Sequence, residues 1–207
     1  MSHRAGRTRW RRFAVVLVPS VGACATLGIA MAQGVLAASF FISGRHFQLA
    51  ADSLTARGFS LYGMVDVTRE HQLVPVVVSG FRHATISGLC QSVVVDVPVL
   101  GPQTLRLTGG DGRSVETSNF FIDATAESVG EANFSGLDIG VAQGALTKGP
   151  VRSGDRDSRF FDPDGVAQQA LSTTLNDVQV SAVAVSAGTF SVPGLRVRLE
   201  QGDHACF

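Results

Sequence analysis

From Phe13 to Gly44 the chain runs through 32 consecutive residues without a charge, and the stretch before it holds Arg4, Arg7, Arg9, Arg11 and Arg12 with no acid. A lipid hydrocarbon core takes about 20 apolar residues as a helix. The segment Phe13–Ala38, FAVVLVPSVGACATLGIAMAQGVLAA, is long enough, and Pro19 near its start is tolerated within lipid. Arginine clusters stay on the cytoplasmic side of such a span. The expectation is a basic cytoplasmic head over residues 1–12, a single transmembrane signal anchor over 13–38, and residues 45–207 outside the cytoplasm. Trp10 suits the membrane interface. The uncharged run outlasts the core of an ordinary signal peptide, which favours an uncleaved anchor. Cleavage after Ala30-Met31-Ala32 or Ala23-Cys24-Ala25, and lipid attachment at Cys24, stay open as alternatives. All of them place the body in the same compartment, with the cytoplasmic membrane as its neighbour.

The charge balance agrees. The whole chain sums to zero, but residues 45–207 hold 12 basic and 17 acidic groups, a net charge of −5. A basic head on an acidic body fits membrane topology and not a nucleic-acid surface. An apolar fraction of 45% is enough to build a core.

Three cysteines are present, Cys24, Cys90 and Cys206. With Cys24 in or before the membrane, an oxidising compartment holds an even pair, and a Cys90–Cys206 disulfide is the economical expectation.

The body reads as mainly β. Val74–Val78 and Val93–Val97 are β-branched runs, and Val178–Val185 alternates. Leu195, Val197 and Leu199 alternate with Arg196 and Arg198, the pattern of a strand with one wet face. Phe47–Ala56 and Val166–Leu171 carry the spacing of short helices. A turn-former followed by alternating apolar residues recurs at Gly58, Gly88, Asn119, Gly136, Asp177 and Gly194, and reads as turns that feed strands. The intervals between them are irregular, which favours one antiparallel β domain, with a short β-solenoid as the alternative.

Residues 147–165, TKGPVRSGDRDSRFFDPDG, break the pattern as a long charged loop. Loops of that length are uncommon without a functional or disorder-related cause. Asp155, Asp157, Asp162 and Asp164 offer oxygen ligands, but the interleaved arginines pair with them more readily than calcium would. Phe160 and Phe161 either dock the loop or anchor a partner. These six residues form the candidate ligand- or partner-binding loop. No cofactor and no metal set is expected. G-x-S-x-G is absent; the nearest string, Ala184-Val185-Ser186-Ala187-Gly188, leads into residues that read as further strand rather than the helix a nucleophile elbow needs. His46, His71, His83 and His204 show no paired spacing.

Four strings, Ala32-Gln33-Gly34-Val35-Leu36-Ala37-Ala38-Ser39-Phe40, Ile86-Ser87-Gly88-Leu89-Cys90-Gln91-Ser92, Ile139-Gly140-Val141-Ala142-Gln143-Gly144 and Ala187-Gly188-Thr189-Phe190, resemble an uncharacterised actinobacterial family of membrane-anchored exported proteins. The resemblance runs from about Arg9 to Phe207 and implies export but no activity. Some members carry the label cholesterol esterase, which the residues here do not support. The reading is a membrane-anchored envelope protein, more readily a non-enzymatic interaction or lipid-binding module than a membrane-associated lipid or sterol-ester hydrolase. Its expected partners are the membrane, lipid or other envelope proteins.

Overall fold

A computed structural model describes residues 39–40, 46–68, 71–110 and 112–207. The basic head over 1–12 and the anchor segment over 13–38 lie outside the described residues. Among the described residues, no helix is long and apolar enough to cross a membrane.

Ten described strands dominate: β1 (Ser39–Phe40), β2 (Phe47–Val67), β3 (Leu73–Ser87), β4 (Leu89–Val97), β5 (Gly101–Gly109), β6 (Val115–Ser135), β7 (Asp138–Ala142), β8 (Val166–Ser186), β9 (Thr189–Ser191) and β10 (Arg196–Gln201). They form one sheet in the order β1-β8-β6-β3-β2-β4-β5-β10, and a further β8–β2 ladder joins β2, β3, β6 and β8 in a closed circuit. Every one of these pairings is antiparallel. The antiparallel expectation therefore holds, and the solenoid alternative, built from stacked coils, does not describe this sheet.

Three strands reach 21 residues. Drawn straight, each would span about 70 Å at the usual rise per residue. A domain of this length is only about 40 Å across. The chain resolves the conflict with left-handed residues inside its strands, at Gly58 (φ 69°), Asn119 (φ 45°) and Asp177 (φ 53°), and at Gly88 (φ 64°) between β3 and β4. The sequence pattern marks these positions as turns. Instead they sit in rows across the sheet. Gly58 lies opposite Arg82, which lies opposite Asn119, and the register is the same on both sides of that row. Asp177 likewise lies opposite Asp52 and Gly130. Glycine, asparagine and aspartate are the residues that adopt this conformation cheaply, so each row bends the strands without slipping their register.

The two helical expectations also fail. Phe47–Ala56 begins β2 and Val166–Leu171 begins β8. Phe47, Leu49, Ala51, Leu54 and Ala56 are all buried. The spacing of three between Ala51 and Leu54, which imitates a helix, spans Asp52 in one of the bent rows. Periodicity of 2 resumes on either side.

The closed circuit encloses the main core, where Phe59, Phe81 and Phe120 stand directly opposite one another on β2, β3 and β6. Their rings lie 5.6 and 6.1 Å apart, and Phe190 of β9 extends the row at 5.8 Å from Phe120. A second cluster, on the opposite face of these strands, contains Tyr62, Met64, Val76, Val78 and Phe121. The segment 143–165 covers it.

Candidate functional site

The covering segment lies directly on the sheet because two glycines permit it. A Cβ on Gly149 would collide with the carbonyl group of Phe59, and one on Gly80 would sit 2.9 Å from the Pro150 oxygen and 2.7 Å from Ser60 Oγ. Ser60, wholly buried, donates its hydroxyl to the Pro150 carbonyl. Gln169 Oε1 accepts from the backbone N–H groups of Thr147 and Lys148 at 2.8 and 2.9 Å. The Gln169 amide donates to Asp138 Oδ2 at 2.9 Å, and Lys148 Nζ lies 2.7 Å from that oxygen. Lys148 and Gln169 together hold the Asp138 carboxyl below the usual carboxylate range.

Beyond these contacts lies a buried charge cluster. Arg152 grips Asp123 with both terminal nitrogens, at 2.6 and 2.9 Å, and reaches Asp155 at 3.4 Å. Two register irregularities follow Asp123 on β6. Such bulges re-aim side chains, and here they come directly after the residue that Arg152 meets. The guanidinium also stacks over Phe121, 5.1 Å from the ring centre. Tyr62 donates to Asp155 Oδ2 at 2.6 Å and accepts from the Arg152 N–H at 3.3 Å. A short helix, α1 (Ser153–Arg156), presents Asp155 inward.

The electrostatics follow from burial. Desolvation pushes the Tyr62 phenol up, and the bond to Asp155 adds to it, so Tyr62 acts as a donor and not as a phenolate. Burial raises Asp123 even though Arg152 opposes it. Asp66, near the end of β2, is pushed up to about 6 by burial and by the Asp123 carboxylate beside it. Arg152 is held charged: its burial acts the other way, but the bonds and charge of Asp123 outweigh it. The Arg152 Nε is buried without a partner. Arg152 pairs with Asp123 on the sheet and with Asp155 on its own segment, and the chemistry this supports is a latch between the segment and the sheet.

The six residues of the expected loop are divided by this arrangement. Asp155 is buried in the cluster, and Phe160 and Phe161 pack against the second apolar cluster, Phe161 meeting Tyr62 edge-on at 6.4 Å. Asp157, Asp162 and Asp164 are not part of the cluster, and Asp162 Oδ1 accepts from the Asp164 N–H at 3.1 Å. Among the described residues, no group of three His, Cys, Asp or Glu is placed to hold a metal ion. Tyr62, Asp66, Asp123 and Arg152 come from distant positions. The sequence holds a signal for one of them: Asp123 is a single acid inside the apolar run Phe120-Phe121-Ile122-Asp123-Ala124. Ser186 ends β8; two residues on, the Gly188 N–H bonds to the Ser118 carbonyl, and β9 follows rather than a helix.

The other notable region is the edge formed by β4, β5 and β10. Cys90 of β4 and Cys206 are joined by a disulfide across 116 positions, with Cα atoms 6.0 Å apart. The expected pairing is thus formed. The tail it secures crosses the outer face of β5, β4 and β2. His204 N–H bonds to Thr104 Oγ1 at 3.0 Å, Cys206 N–H to Ser92 Oγ at 2.9 Å, and Phe207 N–H to Gln48 Oε1 at 3.1 Å. Beside it is a concavity of about 380 Å³, with Asp52, Arg106 and Asp177 on its walls.

The opposite face of this edge passes from the core to exposed apolar residues. Val93 belongs to the main core, and Val95 and Leu107 pack against it. Further out, Leu105 is 42% exposed, Val197 58% and Leu199 70%. The expectation of one wet face on this strand is corrected: both faces of β10 are exposed, because β10 is the last strand of the sheet and no described element lies over it.

Comparison with known proteins adds one relationship. No curated protein and no solved structure matches the chain. A family model described as a family of unknown function, DUF6230, matches residues 43–207, which takes in the whole sheet from β2 to the disulfide-bonded tail. The chain belongs to this family of unknown function, DUF6230.

Proposed function

We propose that the chain is a non-enzymatic interaction module, held on the outer side of the cytoplasmic membrane by residues 13–38, with residues 1–12 in the cytoplasm and 45–207 outside. The observation that carries the binding role is the apolar row Leu105, Val197 and Leu199, which continues the core outward onto an uncovered sheet edge. Contiguous apolar surface of this kind marks a contact site for lipid or protein. The Cys90–Cys206 bond supports the compartment, since such bonds persist where thiols oxidise. The charge cluster supports a fixed scaffold: its groups are spent on holding residues 143–165 to the sheet.

One labelling experiment tests both parts. In intact cells producing the full chain with Cys24→Ser, Val99→Cys and Leu199→Cys are each treated with a membrane-impermeant maleimide. Val99 is fully exposed at the β4–β5 turn. The expected result is rapid labelling of Val99→Cys and slow labelling of Leu199→Cys. Failure of Val99→Cys to label before lysis, with labelling after it, overturns the topology. Equal rates at the two positions overturn the binding role of the row.

A further inference from the structure

The edge strand carries more information than its apolar side chains, because its free backbone has a definite polarity. The Gly202 N–H bonds to the Pro102 carbonyl at 2.8 Å, so Gly202 turns its main-chain groups toward β5. In an antiparallel ladder this alternates. Arg196, Arg198 and Glu200 then also face β5, and Val197, Leu199 and Gln201 direct theirs outward. The ring of His204 meeting the Gln201 carbonyl at 3.1 Å agrees with that assignment. An exposed strand edge of this kind is a template for another strand.

We propose that the strand which fills it is β10 of a second copy of this chain, paired antiparallel with Leu199 facing Leu199 on the two-fold axis. This deepens the interaction-module reading and rests on it. Charge selects the occupant and the register. On β5, Arg106 stands directly opposite Arg198, a like-charge cross-strand pair that is unfavourable. Among the described residues no carboxylate pairs with either, and Arg106 Nε is buried without a partner. With Leu199 on the axis, Arg198 of each copy faces Glu200 of the other, at both ends of the pair. Val197 then faces Gln201, and the outward main-chain groups of Leu199 bond to one another; the Gln201 carbonyl leaves the His204 ring for the partner strand. Shifting the register by one step in either allowed direction costs this match. One shift sets Arg198 against Arg198, beside both Arg106 side chains. The other sets Glu200 against Glu200. The favoured register also joins the two rows of Leu105 and Leu199 into one apolar band across the joint sheet. The pairing is symmetric and closed, as two-fold contacts are. Six residues of edge make it weak in free solution, and a shared membrane tether raises the local concentration that drives it.

The test uses the full chain carrying Cys24→Ser in its membrane. Leu199→Cys forms a disulfide-linked dimer on mild oxidation, seen as doubled mass on non-reducing gels, and chains carrying Val197→Cys crosslink with chains carrying Gln201→Cys. Adding Arg198→Glu, or Glu200→Arg, lowers the Leu199→Cys dimer roughly tenfold, because two attractive pairs become two repulsive ones. The double exchange Arg198→Glu with Glu200→Arg restores it. All of these side chains lie on the surface strand, so the body stays folded, which far-UV circular dichroism checks. Crosslinking that ignores the charge changes overturns the proposal. So does a Leu199→Cys chain that stays monomeric while remaining protected from maleimide, since a different partner then covers the row and only the wider reading survives.

Discussion

Replacing Arg152 by alanine is the sharpest test of the latch. The Asp123 side chain is 2% exposed and meets Arg152 at 2.6 and 2.9 Å. Removing the guanidinium leaves a buried carboxylate with no counter-charge, a change that typically costs 3–5 kcal/mol. The cost has a ceiling, because Asp123 can protonate instead. Protonating at pH 7 a group whose unfolded pKa is about 3.9 costs at most about 4 kcal/mol. At pH 5 the same ceiling falls to about 1.5 kcal/mol. The sign follows from linkage: in the Arg152→Ala chain the folded state binds a proton that the unfolded state lacks, so its stability rises as the pH falls from 7 to 5. Equilibrium urea denaturation at several pH values measures this, with limited proteolysis of residues 147–165 as a local readout. Adding Asp123→Asn to Arg152→Ala should recover most of the loss at pH 7, since no charge is then left buried. A deficit below about 1 kcal/mol at pH 7, or one that does not shrink toward pH 5, refutes the latch.

Other expectations concern the rest of the scaffold. Removing the Cys90–Cys206 bond frees a span of 116 positions and should lower stability by about 5 kcal/mol in the loop-entropy description, measured by comparing reduced and oxidised unfolding midpoints. Gly149→Ala should release the segment 147–165 to protease, because the added methyl meets the β2 main chain; an intact segment in that variant would contradict the packing. Gly58→Ala forces a side chain into a left-handed position and against Arg82, with Cβ atoms 2.9 Å apart, and should cost at least about 1–2 kcal/mol, whereas Asp177→Gly should be nearly neutral; urea midpoints of the two variants check the contrast. Asp66, raised to about 6, makes the folded state the better proton binder between about pH 4 and 6. Its contribution to stability is therefore present at low pH and lost as the pH rises through 6, and Asp66→Asn should flatten that part of the melting-temperature profile.

Much of this protein is legible in its residue order. The alternation in Val178–Val185 and the runs Val74–Val78 and Val93–Val97 specify a β-rich body, because a period of 2 is a local property. The even pair of cysteines points to the bond that forms, since pairing outside the cytoplasm is a matter of counting and redox state. The apolarity of Phe160 and Phe161 leaves docking and partner binding both open, and only their packing against the second cluster decides for docking. The bent rows are another matter. Gly58, Asn119 and Asp177 have the same backbone preference in a turn as within a strand, so chemistry marks the left-handed positions but does not say that the strand continues through them. The same bends disguise the start of β2 as a helix.

The amino-acid order by itself determined the basic and apolar composition of residues 1–38, the β character of the body and the presence of Cys90 and Cys206, because each depends on neighbours in the chain or on simple counts. The tertiary structure alone decided that Asp123 meets Arg152 and that Leu199 is left bare. Both depend on which strand ends up beside which: whether a side chain is buried, paired or exposed is settled by what packs across from it, and those partners come from positions 29 and 94 residues away in sequence for Arg152 with Asp123 and for Leu199 with Leu105.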